Sequence, residues 1–332
     1  MKRAGNLFEK IADMENLRLA YYKAKRGKEA KPDAYQYSKN IEQNLVNLRS
    51  ALLSEKLLQD KYHFFTIYEP KERLICAASF GDRVLHHAII NVCHAFFERY
   101  QISDSYATRV SKGQFAALER AKTFQKHYPW FCKLDIRKYF DSVDHSLLLA
   151  LLSRRFKDKR LLSLFATIIN SYCANPGKGL PIGNLTSQYF ANFYLAHADH
   201  YIKEILRVPA YVRYMDDMVI WGQNHKELIN WRNKFTYFIK NQLVLDVKPE
   251  CINTSDKGLP FLGYVLFENR VRLNKHSKQR FFTKMTLYNQ FLIRGVWGQK
   301  EFANHVLPLV AFTQFANTHE LRIKDLSLME TG

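Results

Sequence analysis

No run of about 18 apolar residues, the length a membrane-crossing helix needs, occurs in this 332-residue chain. No signal-peptide pattern opens it either, so the sequence predicts no membrane partner and a cytoplasmic setting. Cysteine is scarce. Cys76, Cys93, Cys132, Cys173 and Cys251 are odd in number, scattered and without metal-ligand spacing, which reads as reduced thiols and excludes a disulfide scaffold. The twelve histidines lack a zinc pattern, and the adjacent His86 and His87 fall on different faces of a helix. Acidic residues are the other shortage: 31 Asp plus Glu stand against 50 Lys plus Arg, a net charge of +19 that favours a polyanionic partner, nucleic acid first. Repeats and low-complexity tracts are absent. A hydrophobic share of 47% is ample for a core spread over two or three subdomains.

Two of the few acids are adjacent. Between Val212 and Ile220, Asp216 and Asp217 stand amid apolar, β-prone flanks, the pattern of a hairpin with the carboxylates at its tight turn. Like charges so close repel unless cations neutralise them, so the pair is either a solvated acidic turn or a holder of divalent metal. A third acid, Asp135, ends the buried-looking strand that begins at Trp130, where it serves as a helix cap or as a ligand.

Around these acids the chain alternates in character. Residues 1–60 show helical spacing, with a basic loop from Lys23 to Lys31 and a break at Pro32. From Tyr62 the alternation predicts two strands joined by the charged turn Glu69–Lys71, projecting Lys71 and Arg73 either as surface charges or towards phosphate oxygens. A helix is expected from Asp82 towards Phe97, and a glycine turn and helix after Lys112. Leu147–Asn170 carries a helical apolar stripe, interrupted near Lys157 and Asp158. The loop Gly177–Gln188 is rich in turn formers, and in it Gly183 would let the backbone pass close to a ligand. An amphipathic helix is predicted from about Ser187 to Leu206, another over Leu228–Gln242, a strand or turn over Val244–Lys248 and a hairpin strand over Leu259–Leu266. Residues 271–300 hold seven Lys or Arg and no acid, with Tyr288, Phe291 and Trp297 interleaved: a solvated helix or a face that tracks a phosphate backbone.

Tyr214-Met215-Asp216-Asp217 is the signature of reverse transcriptases, and over roughly residues 60–270 these segments follow one another as they do in that family. The resemblance implies an α+β right-hand polymerase: an N-terminal helical extension over 1–60, fingers over 61–130 with part of the palm helices, a palm with an antiparallel sheet over 131–268 interrupted by a fingers insertion around 145–185, and a helical thumb over 269–332. It implies two Mg²⁺ ions, replaceable by Mn²⁺, held by Asp135, Asp216, Asp217 and the backbone of Ile136. Lys248 falls on the lysine thought to assist pyrophosphate departure. Lys71, Arg73, Arg137, Lys138, Tyr139, Phe140, Ile182, Gly183 and Gln188 would surround the incoming deoxynucleoside triphosphate, with Phe140 crowding its sugar 2′ position. Tyr214, Met215, the primer-grip residues Phe261, Leu262, Gly263 and Tyr264, and the basic Lys275, Lys278 and Arg280 would contact primer and template.

One motif departs from the commoner pattern. Intron and retron enzymes usually carry Gln-Gly, three residues and Ser-Pro where this chain has Ile182, Gly183 and then Ser187-Gln188. That variant resembles the reverse transcriptases of diversity-generating retroelements, which copy template adenines with errors. By this resemblance the partners are a structured template RNA, a primer or cDNA strand, dNTPs and a small, basic, oligomeric accessory variability protein, in the cytosol of a bacterium and encoded by it or a phage. A chain of this length leaves little room for RNase H, maturase or endonuclease domains. The alternatives are a retron or phage-defence reverse transcriptase, or a basic RNA-binding protein without catalysis.

Overall fold

The computed structural model describes residues 3–56, 61–68, 72–249 and 251–319. In chain order it begins with α1 (Phe8–Ile11), α2 (Met14–Lys25), α3 (Pro32–Lys39), α4 (Ile41–Leu53), the strands β1 (His63–Ile67) and β2 (Arg73–Ala77), then α5 (Phe80–Glu98) and α6 (Gln114–His127). After β3 (Trp130–Asp135) come α7 (Tyr139–Ser142), α8 (His145–Ser153), α9 (Lys159–Asn170) and α10 (Leu185–His200). The hairpin β4 (Ala210–Tyr214) and β5 (Asp217–Gly222) precedes α11 (His225–Gln242), β6 (Cys251–Thr254), β7 (Leu259–Phe261), β8 (Tyr264–Leu266), β9 (Val271–Leu273), α12 (Lys275–Ile293) and α13 (Gln299–Gln314). The chain folds into two compact units, one of residues 1–109, 135–207 and 234–248, the other of residues 110–134, 208–233 and 249–332.

The first unit is a helical body with one hairpin. Its helices start where capping residues predict: Asp13 accepts from the backbone N–H groups of Glu15 and Asn16, Ser79 from Asp82, Asp144 from Leu147, and Pro32 takes the first turn of α3. The apolar stripe over Leu147–Asn170 is two helices: α8 stops at Ser153, and Asp158 caps the start of α9. The same carboxylate also accepts from the N–H groups of Leu7 and Phe8, at 2.9 and 3.0 Å, tying the N-terminal helix to α9. Phe97, Phe156, Phe165 and Phe190 meet edge-on or tilted in the core, each ring contributing about 1.5–3 kcal/mol by burial.

The amphipathic helix expected over Ser187–Leu206 takes a different form. It starts two residues earlier, buries Phe190, Ala191, Asn192, Phe193, Tyr194, Leu195 and Ala196 in succession, and passes into a π-helical turn at Tyr201–Ile205. Neighbours cover it on more than one side, so no broad polar face remains.

In the second unit a four-stranded sheet has the order β4-β5-β3-β6, with β4 and β5 antiparallel and β3 antiparallel to β6. Beneath it Trp221 donates from Nε1 to Gln125 Oε1 at 2.8 Å, and Gln125 Nε2 donates to the Ser255 carbonyl at 3.0 Å, so this buried polar pair is satisfied. A second sheet, β7-β8-β9, precedes α12 and α13, which close on Phe281, Met285 and Val306.

Candidate active site

The antiparallel register of β4 and β5 pairs Val212 with Val219 in the core and sets Tyr214 across from Asp217. Met215 and Asp216 are therefore the two turn residues, and Met215 takes a left-handed φ of +53°. Arg213, fully buried, holds the turn from inside by donating from Nη1 to the Met215 carbonyl at 3.1 Å. A buried guanidinium is costly unless bonded, so its presence beneath the acids marks a turn whose shape is enforced. Sequence pattern alone does not reveal this role, since Arg213 reads as the polar residue of an alternating strand.

Asp217 opens β5, and its Oδ1 lies 3.0 Å from the Nζ of Lys133, which reaches over from the neighbouring strand β3. Lys133 also donates to the Pro260 carbonyl of β7 at 3.1 Å. The hairpin β7–β8 turns at Leu262 and Gly263, both with positive φ, and Gln114 Nε2 donates to the Leu262 carbonyl at 2.8 Å. Phe261 and Tyr264 bury their rings, the Tyr264 hydroxyl donating to the Phe312 carbonyl at 2.6 Å; burial holds that phenol above its usual pKa. The expected primer-grip hairpin thus presents backbone at its tip, with these two aromatics turned into the fold. Lys275, Lys278 and Arg280 sit exposed on the first two turns of α12.

In the first unit the segment Asp246–Lys248 runs antiparallel beside Asp135–Arg137. Arg137 N–H donates to the Asp246 carbonyl at 2.7 Å, Ile136 bridges Val247, and Lys248 N–H donates to the Asp135 carbonyl at 2.8 Å. This register delivers the Lys248 ammonium to Asp135 Oδ2 at 2.7 Å. Lys138, at φ +44°, turns the chain into α7. Tyr139 is buried and its hydroxyl donates to the Ala191 carbonyl at 2.5 Å, so its side chain anchors the turn to α10 and leaves its backbone for any nucleotide contact. Phe140, half-buried, packs edge-on against it, and its carbonyl accepts from Leu180 N–H at 2.7 Å.

The loop after α9 is pinned by backbone. The Ile182 carbonyl accepts from Cys76 N–H at 2.8 Å, which joins the loop to β2. Gly183 follows at φ +121°, where an added Cβ would stand 3.1 Å from Ile75 Cγ2 and 3.2 Å from the Cys76 carbonyl oxygen. Gln188 lies in the first turn of α10, half-buried. Arg73 opens β2, exposed, opposite Ile67; Lys71 falls outside the described residues.

Among the described residues no group of three or more His, Cys, Asp or Glu side chains is gathered to hold a metal ion. The individual acids nevertheless suit one. Asp135 Oδ1 and Asp217 Oδ1 are both buried and accept no well-aligned hydrogen bond, an unfavourable state for a carboxylate oxygen that ligation by a hard cation relieves. In each acid a lysine ammonium supplies the only described ion pair.

The chain is 22% identical over 277 residues to the group II intron-encoded protein LtrA of Lactococcus lactis subsp. cremoris, covering 62% of this chain and 46% of that protein. It is 21% identical over 263 residues to the COX1/OXI3 intron 2 protein of Saccharomyces cerevisiae, covering 60% of this chain and 30% of the relative. The chain thus spans less than half the length of these relatives. Among solved structures, telomerase of Candida tropicalis in complex with a fragment of telomeric RNA superposes with a TM-score of 0.51 at 10% identity, covering 86% of this chain and 58% of that one. The apo telomerase of the same organism gives 0.50 at 13% identity. These likenesses establish the α+β right-hand polymerase fold. Residues 67–266 match the family described as reverse transcriptase (RNA-dependent DNA polymerase), well over half of the sequence, and this chain belongs to that family.

Proposed function

We propose that the chain is an RNA-directed DNA polymerase that makes adenine-mutagenic cDNA from a template-repeat RNA, in the manner of a diversity-generating retroelement. The observation that carries the polymerase reading is the pair of buried, unbonded carboxylate oxygens on Asp135 and Asp217, each beside a lysine, in a chain of this family. Asp135, Asp216, Asp217 and the Ile136 carbonyl are the groups that would hold two Mg²⁺ ions, or Mn²⁺ in their place. Such ions, when bound, activate a primer 3′-hydroxyl and balance charge on the triphosphate and the departing pyrophosphate.

The remaining work falls to side chains of this protein. Lys248, whose ammonium lies 2.7 Å from Asp135 Oδ2, would give a proton or a positive charge to the leaving pyrophosphate. Phe140 sets the depth of the sugar pocket and excludes a 2′-hydroxyl by contact. Lys71, Arg73, Arg137 and Lys138 supply cations for the triphosphate, the primer-grip turn at Leu262 and Gly263 supports the primer, and Lys275, Lys278 and Arg280 follow the phosphate backbone. In this reading residues 1–60 extend the fingers of 61–130, 131–268 form the palm with the insertion around 145–185, and 269–332 form the thumb.

The mutagenic reading rests on Ile182. An aliphatic side chain there neither donates nor accepts a hydrogen bond, so a polar check on the nascent pair would be missing where the commoner family pattern has Gln. A loss of about 1.4 kcal/mol of discrimination corresponds to tenfold more misinsertion. The partners under this reading are a structured template RNA, a primer or cDNA strand, dNTPs and a small basic accessory protein, in a bacterial cytoplasm. Primer extension with Mg²⁺ on the native RNA, followed by sequencing of the cDNA, tests both levels. Extension by the Asp216→Asn protein would refute the metal assignment. Faithful copying of adenines would leave a reverse transcriptase of the retron or phage-defence kind.

A further inference from the structure

Lys133 has no part in the assignments above, yet its position is unusual. It lies two residues before Asp135 on β3, its side chain is about three-quarters buried, and its Nζ touches two partners that are otherwise unconnected: Asp217 Oδ1 at 3.0 Å and the Pro260 carbonyl at 3.1 Å. Pro260 immediately precedes Phe261 in the grip hairpin, so one ammonium joins the acid-bearing β5 to β7 of the second sheet. The Asp217 oxygen it faces is buried and accepts no well-aligned hydrogen bond. The contact is therefore mainly charge against charge, which a second cation can replace without breaking a directional bond. The Pro260 carbonyl bond does have hydrogen-bond geometry, and it gives the ammonium a place to remain when its hold on Asp217 ends.

We propose that Lys133 is a positioning residue that acts as a displaceable counter-cation for Asp217: it neutralises the acid before metal arrives, yields that oxygen on metal entry and stays bound to the grip hairpin. The inference rests on the metal reading of the acids. Its consequence is a sign that a merely structural lysine would not produce. A structural support, once removed, weakens metal binding because the acid is misplaced. A competitor, once removed, strengthens it, because the incoming ion no longer displaces a charge.

The test is Mn²⁺ binding to the full chain without nucleotide or nucleic acid, read from the free-ion signal in electron paramagnetic resonance. Lys133→Met should bind Mn²⁺ about three- to fivefold more tightly than wild type, in line with the strength of a partly exposed ion pair. Lys133→Arg, which keeps the charge, should match wild type. Lys133→Gln retains a donor for Pro260 without a charge and should also bind more tightly; it decides the matter should the Met variant fail to fold. Unchanged or weaker Mn²⁺ binding in the uncharged variants, against a wild type that binds in an Asp216-dependent way, overturns this inference alone. No Asp216-dependent binding in the wild type overturns the metal reading and this inference with it.

Discussion

The acids and the loop at Ile182 are held by different means. Asp135 and Asp217 are each held through the side chain by a lysine ammonium, at 2.7 or 3.0 Å, and a buried arginine bonds the turn before Asp217. Phe140 and Ile182 are held through their carbonyls, which accept from Leu180 and Cys76. In the proposed reading, chemistry would be carried by groups held through their charge, and selectivity by side chains presented on a backbone frame. A polymerase built this way would change its error rate by one side chain and keep its reaction.

Breaking the first region should have the largest effect. Asp135→Asn or Asp216→Asn should lower primer extension by at least about a thousandfold, the scale on which metal and charge stabilisation act in phosphoryl transfer. The melting temperature should barely move, because the Lys248 ion pair lost in Asp135→Asn is partly exposed and worth at most about 1 kcal/mol. A large fall in melting temperature would mean that the acids serve the fold instead.

The backbone frame of the second region comes next. Gly183→Val forces a branched side chain to φ +121° against Ile75 and the Cys76 carbonyl, a strain of about 1–3 kcal/mol. Thermal denaturation should show a loss of several degrees, with extension reduced in proportion to the folded fraction. An unperturbed melt would show that the loop is not pinned to β2 as described.

Exchanging side chains on that frame should leave stability and total synthesis nearly intact. Phe140→Ala should reduce the preference for dNTP over rNTP about ten- to a hundredfold, measured as the ratio of kcat/KM values. The smallest effect is expected from Ile182→Gln: up to about tenfold fewer errors opposite template adenine, counted in sequenced cDNA. An unaltered error spectrum would remove Ile182 from the selectivity group and the comparison would lose half its content.

Legibility followed the range of the interactions. The acidic hairpin could be read because β-prone flanks and two turn residues are adjacent in sequence, and the break at Asp158 could be read because a cap acts over three residues. The helix after the Ile182 loop was misjudged because the neighbours that cover it come from distant parts of the chain. The inward direction of the Tyr139 side chain was hidden for the same reason: its bond to Ala191, 52 residues away, shows it.

By itself the sequence determined the three acids, the strands that bear them, the aromatic after Asp135 and the aliphatic residue before Gly183, since each is set by residue type and short spacing. Only the tertiary structure decided which lysine stands beside which acid, which arginine shapes the turn and which backbone groups pin the loop at Ile182. Lys248 meets Asp135 across 113 residues and Arg213 disappears beneath its own turn, and pairings of that kind depend on strand register and burial, which no local pattern encodes.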